Sequence, residues 1–90
     1  MNLRRTKLEI INDILSSIQN KNGKIKPTHL LYKSNLSHKK MLEYLNELIK
    51  KDLVKEELVG NSRYYCITKN GYRYLTEFKH IKEFSESFGL

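Results

Sequence analysis

The three residues Asn35-Leu36-Ser37 break a helical repeat in two, and this interruption constrains the fold more than any other feature of the chain. Before it, Pro27 suits the first position of a helix, and Leu30 and Leu31 give that helix an apolar side. After it, Ser37 suits an N-cap, and Met41, Leu42, Leu45, Leu48 and Ile49 gather on one face of a helix running to about Lys51. The opposite face carries Lys39, Lys40, Glu43, Glu47 and Lys50. Two helices joined by so short a turn make a helix-turn-helix.

The flanking sequence supplies the other elements. Thr6-Lys7-Leu8-Glu9 has the form of a capping box, followed by Leu8, Ile11, Leu15 and Ile18 at helical spacing with Ile10 and Ile14 beside them. Asn20-Lys21-Asn22-Gly23 ends this first helix. One apolar residue between two lysines, Lys24-Ile25-Lys26, suits a short strand added to a sheet formed later. Leu53 to Val59 and Arg63 to Ile67 are rich in Val, Leu, Tyr and Ile around Gly60-Asn61-Ser62, a hairpin signal. Thr68 then caps a last helix carrying Tyr74, Leu75, Phe78, Ile81, Ser85 and Phe88. The predicted order is helix, short strand, helix, helix, hairpin, helix: an α+β fold, mainly α, of the winged helix-turn-helix type. Its parts are a three-helix core, a β-hairpin wing and a C-terminal helix.

Charge narrows the partner. Seventeen Lys and Arg against ten Asp and Glu give a formal charge of +7, a field that attracts polyanions. The net charge is +4 over residues 1–27, +2 over 28–52, +1 over 53–71 and 0 over 72–90. The neutral C-terminal segment is therefore suited to something other than a polyanion. No stretch approaches the ~20 apolar residues that span a bilayer, and the basic N-terminus lacks the apolar core of a signal peptide, so no membrane association and a cytoplasmic location are expected. The single cysteine, Cys66, reads as a packed strand residue in a reducing compartment.

Catalysis is disfavoured. His29, His38 and His80 are not at metal-ligand spacing, no carboxylate pair has an acid/base context, and Gly23, Gly60, Gly71 and Gly89 stand alone rather than forming a phosphate loop. No metal, cofactor or enzymatic activity is expected. Tyr64, Tyr65, Tyr72 and Tyr74 suit a small ligand pocket, but core packing between hairpin and last helix explains them more simply.

In a helix-turn-helix the second helix offers its N-terminal residues to base edges and phosphates. Here it opens Ser37-His38-Lys39-Lys40. Exposed cations in a first turn oppose the helix dipole at a cost of a few tenths to about 1 kcal/mol each, and a docked phosphate reverses the sign of that effect. Glu43, Tyr44 and Asn46 lie on or beside the same exposed face. At the wing tip, the Arg63 guanidinium can enter a minor groove while Asn61 or Ser62 bonds a phosphate. Arg4, Arg5 and Lys7 can add phosphate contacts from the N-terminus.

The chain resembles small archaeal winged-helix DNA-binding proteins, cousins in shape of the MarR and PadR regulators. The likeness rests on Lys7-Leu8-Glu9-Ile10-Ile11 with Ile14-Leu15, on Asn35-Leu36-Ser37 followed by Tyr44-Leu45 and Leu48, and on Tyr65-Cys66-Ile67-Thr68-Lys69-Asn70-Gly71, a pattern of the form Tyr-x-(Leu or Ile)-Thr-x-x-Gly. The resemblance implies a homodimer joined through the last helices and bound to duplex DNA by two recognition helices and two wings. Tyr74, Phe78, Ile81, Ser85 and Phe88 have the heptad-like spacing such a contact needs, which an intramolecular docking stripe would share.

The expectation is a duplex-DNA-binding transcription regulator, with residues 1–72 as the winged domain and 73–90 as a dimerisation helix. Recognition helix 37–51 would enter the major groove, and wing 58–65 would meet the adjacent minor groove or backbone. The competing readings are a winged-helix protein-interaction module, a non-specific chromosome-associated protein and a ligand-responsive regulator.

Overall fold

In the computed structural model, which describes residues 5–90, the expected element order is realised in full. Helix α1 spans Lys7–Gln19 and opens on a complete capping box. The Glu9 amide donates to Thr6 Oγ1 at 3.1 Å, and the Thr6 amide donates to Glu9 Oε1 at 2.9 Å. Those bonds favour the charged form of Glu9 and hold its carboxyl below the usual range, the backbone bond from Thr6 contributing most. After the Asn20–Gly23 turn comes β1, Lys24–Ile25, then α2, Pro27–Ser34. Asn35 adopts a left-handed conformation at φ 56°, which ends α2.

Helix α3 spans His38–Lys50, and its Ser37 cap accepts a 3.1 Å bond from the Lys40 amide. Strands β2, Val54–Val59, and β3, Ser62–Ile67, make the hairpin, and α4 covers Lys69–Ser87. The hairpin loop is shorter than the three-residue turn expected, because Ser62 pairs with Val59 and leaves Gly60 and Asn61 alone at the tip. Gly60 sits at φ 62°, the positive value that two-residue hairpin loops demand of their first residue.

The sheet is antiparallel in the order β1-β3-β2, so β3 is central and β2 forms one edge. Register decides what each face does. The pairs Val54 with Ile67, Glu56 with Tyr65 and Leu58 with Arg63 share one face. Near the hairpin's base that face is buried at Val54, Tyr65 and Ile67, and towards the tip it runs out of core, leaving Leu58 and Arg63 in solvent. The projecting end is the wing.

The core is filled by Ile11, Ile14, Leu15 and Ile18 of α1, Ile25 of β1, Leu30 of α2, Met41, Leu45 and Leu48 of α3, and the sheet residues Val54, Tyr65 and Ile67. Burying a side chain of this size contributes about 1.5–3 kcal/mol against leaving it in water. Helix α4 packs against α1. There Tyr74 rests on the core, and its hydroxyl donates to the Leu8 carbonyl at 3.1 Å. No helix among the described residues is long and apolar enough to cross a membrane.

Candidate nucleic-acid interface

Helix α3 buries one side and leaves the other bare. Met41, Leu45 and Leu48 are in the core, whereas Lys39, Glu43, Asn46 and Lys50 recur at three- and four-residue spacing along an exposed ridge. His38 and Lys40 flank its start, and all three first-turn side chains are in water. That turn holds no acidic residue, so the two ammonium groups of Lys39 and Lys40 crowd the positive end of the helix dipole. A docked anion would relieve this crowding. Lys50 completes the ridge at its far end and belongs with the candidate residues; its spacing from Asn46 is the signal that identifies it.

The side of α3 turned towards α1 is different. Lys7, Lys40, Glu43, Tyr44 and Glu47 line one shallow hollow there. Lys7 Nζ pairs with Glu47 Oε2 at 3.0 Å, and Lys40 Nζ lies 3.6 Å from Glu43 Oε1. Tyr44 is half-buried against the core, so its ring is a wall of the hollow rather than a free probe. The structure thus brings the sequence-predicted Lys7, Lys40, Glu43 and Tyr44 together, but Glu43 itself and Glu47 partly neutralise the two lysines.

The wing tip presents Asn61 and Arg63 to solvent, with Ser62 half-buried. The Arg63 Nε lies 3.3 Å from Glu56 Oε2, and both side chains are about half exposed. An exposed pair of this kind contributes only about 0.2–1 kcal/mol, so a stronger anion can draw Arg63 away at little cost. Helix α3 packs against β2, which places the recognition helix and the wing on adjoining parts of the surface. Leu58, 73% exposed beside Arg63, is an apolar residue at the wing that sequence reasoning passed over because alternation in a strand usually turns it inward.

Arg5 has an internal task. Its guanidinium donates to Asp13 Oδ2 at 2.8 Å and to the Ser34 carbonyl at 2.9 Å, joining the N-terminal segment to α1 and to the last turn of α2. Arg4 lies outside the described residues. The four tyrosines weighed as a ligand pocket are dispersed: Tyr65 is in the core, Tyr64 lies under the Lys24 ammonium on the other sheet face, Tyr72 is exposed, and Tyr74 docks on α1. Among the described residues, no group of three His, Cys, Asp or Glu is placed to hold a metal ion.

The five residues expected at a dimer contact fall into two sets. Tyr74 and Phe78 stack with ring centroids 6.3 Å apart, Tyr74 bonded to α1 and Phe78 half-buried. Ile81 and Phe88 are each 68% exposed, as is Phe84, which the heptad pattern omitted, while Ser85 is half-buried. Phe84 and Phe88 meet edge to face at 5.1 Å. Together with Leu8 and Leu90 they leave an apolar surface at the far end of α4.

The sequence profile described as winged helix-turn-helix matches residues 4–86. No curated protein sequence matches the chain. Among solved structures, the chain is similar to Sso10a-2, a DNA-binding protein from Sulfolobus solfataricus, at 23% identity and a TM-score of 0.79, over 93% of this chain and 85% of that one. It is similar to TubR from Bacillus thuringiensis, solved bound to 24 bp of tubC, at 18% identity and a TM-score of 0.68, over 87% and 98% of the two chains. It is also similar to MepR, a transcription regulator of a Staphylococcus aureus multidrug efflux pump, at 13% identity and a TM-score of 0.75, over 88% and 60%.

Proposed function

The chain belongs to the winged helix-turn-helix family, and from that premise we propose that it binds duplex DNA as a transcription regulator, without enzymatic activity of its own. The observation that carries this reading is the bare ridge of α3. Lys39, Glu43, Asn46 and Lys50 face solvent along the whole helix, directly behind a first turn crowded with cations and next to a projecting wing. A helix of this form lies in a major groove with its first turn against the phosphates, while Arg63 and its wing-tip neighbours reach the adjacent minor groove or backbone. The DNA-binding and DNA-bound relatives support the same use of the fold. We further propose a cytoplasmic location.

The protein acts as a homodimer in this reading. Residues 1–72 carry DNA contact, and the end of α4 carries the subunit contact through Ile81, Phe84 and Phe88. Contiguous apolar surface of this sort on a small domain marks an interaction site. Tyr74 and Phe78 brace the helix from within the subunit.

Fluorescence anisotropy with mixed short duplexes at two salt concentrations tests the DNA assignment. Binding should be salt-sensitive and weakened both by Lys39→Ala/Lys40→Ala and by Arg63→Ala. A folded protein that fails to bind at low salt would instead favour a protein-interaction module. Sedimentation of Phe84→Asp/Phe88→Asp beside the wild type tests the dimer; equal masses for the two would refute the α4 contact.

A further inference from the structure

The wing of this protein ends in apolar side chains. Leu58 and Val59, the last two residues of β2, are 73% and 49% exposed, and only Gly60 and Asn61 separate β2 from β3. Alternation along the strand turns the two to opposite faces of the sheet. Leu58 is paired with Arg63 on the face whose base is filled by Val54, Tyr65 and Ile67, which share the core with Met41, Leu45 and Leu48 of α3. It therefore projects from the side of the sheet that α3 covers, but beyond the reach of the core.

What surrounds Leu58 selects its partner. Directly opposed residues of an antiparallel pair hold their Cβ atoms about 4.5–5.5 Å apart, so Leu58 and Arg63 project side by side. Residues 58–63 hold one arginine and no Asp or Glu, and Glu56 on the same face lies two residues, about 6–7 Å, farther from the tip. An apolar and a cationic group thus lead, and the acids trail behind them. A protein strand added along β2 would meet Lys55, Glu56 and Glu57, charges of the kind that keep edge strands unpaired. A minor groove fits better. The two backbones of a hairpin stand about 4.7–4.9 Å apart, nearly the ~6 Å width of that groove, so only side chains can reach its floor.

We infer that Leu58 is a wedge that enters between adjacent base pairs from the minor groove, unstacking them in part and bending the duplex, while Arg63 beside it holds the backbone. This rests on the proposal that the partner is duplex DNA, and it makes the wing a sensor of deformability. The Leu58 side chain has no hydrogen bond to offer a base edge, and it leaves water when it meets the faces of unstacked bases. Pyrimidine–purine steps such as TA kink readily, whereas A-tracts are stiff, so the wing should favour sites carrying a TA step beneath it.

The test uses two short end-labelled duplexes of identical base composition, one of alternating TA steps and one a continuous A-tract, with energy transfer between the ends reporting the bend. The wild type should bind the alternating duplex several-fold more tightly and bend it by about 20–90°. Leu58→Ala should lose both the bend and the preference, whereas Val59→Ala, on the opposite face, should keep them. Because no charge is removed, Leu58→Ala should leave the slope of log K against log salt unchanged, while Arg63→Ala lowers it by about 0.9. Circular dichroism checks that each variant folds, as substitution at these exposed positions should allow. An unbent duplex in the wild-type complex, a bend and preference that survive Leu58→Ala, or equal losses for Leu58→Ala and Val59→Ala overturn the wedge while leaving DNA binding intact. A wild type that binds neither duplex at low salt overturns the DNA proposal and this inference with it.

Discussion

Replacing Gly71 with alanine should destabilise this protein, although helix propensity argues the reverse. Gly71 is the third residue of α4, and its amide donates to the Thr68 cap at 3.1 Å. A Cβ added there would lie 2.5 Å from both the Leu53 carbonyl oxygen and Ile67 Cγ1. Since carbon contacts are comfortable at about 3.5–4.0 Å, helix and hairpin would have to part by ~1 Å. The Leu53 carbonyl also accepts the Thr68 amide at 3.2 Å, and the Thr68 hydroxyl donates to the Asp52 carbonyl at 2.7 Å, so the movement strains the junction that starts α4. Overpacking costs about 1–3 kcal/mol and a weakened hydrogen bond about 0.5–1.5, against a gain of roughly 1 from replacing glycine in a helix. The net is a loss of about 0.5–3.5 kcal/mol. At ~4–8 °C per kcal/mol for a domain of this size, Tm should fall by about 2–28 °C. Urea titration followed by circular dichroism measures the loss directly, with an unchanged m-value showing that the same surface unfolds. A variant as stable as the wild type, or more stable, would show that the contact does not constrain the junction and that propensity prevails.

Three further outcomes follow from individual side chains. Tyr74→Phe removes the bond to the Leu8 carbonyl while keeping the ring, so urea unfolding should report a loss of about 0.5–1.5 kcal/mol; no loss would mean that this hydroxyl bonds water equally well. Burial first, and the Glu57 carboxylate second, push the Cys66 thiol up, so iodoacetamide at mildly alkaline pH should modify the native protein far more slowly than the urea-unfolded chain; equal rates would contradict the packing of β3. Because the folded Glu9 carboxyl titrates lower than in the unfolded chain, its contribution is present above the unfolded value and is lost as pH falls through the folded one. Glu9→Gln should therefore lose less stability than the wild type between neutral and acid pH, and parallel losses would remove the capping box from the acid response.

Local signals explain why so much of the fold was legible. The caps at Thr6, Ser37 and Thr68 act within three residues of themselves, and apolar periodicity needs only one helix or strand to be read. The Thr-x-x-Gly portion of the wing-to-helix pattern also has a local half, the cap, and a non-local half, the close approach of Gly71 to Leu53 and Ile67. The candidate interface was legible as a set of exposed residues on α3 and at the hairpin tip. Their partners were not, since Lys7 meets Glu47 across forty positions and Arg5 reaches Ser34 across twenty-nine.

By itself, then, the sequence determined the order of the elements, their caps, the apolar set that fills the core and the excess of positive charge. These depend on spacing and side-chain chemistry within a turn or two of helix. Only the tertiary structure decided how the cations divide between internal pairs and open surface: Arg5 joins three segments, Lys7, Lys40 and Arg63 sit beside acids, and Lys26, Lys33 and Lys39 remain in solvent. It also divided α4, docking Tyr74 on α1 and leaving Ile81, Phe84 and Phe88 uncovered. A helical repeat states which residues share a face, whereas the neighbour that covers the face is set by packing between segments distant in the chain.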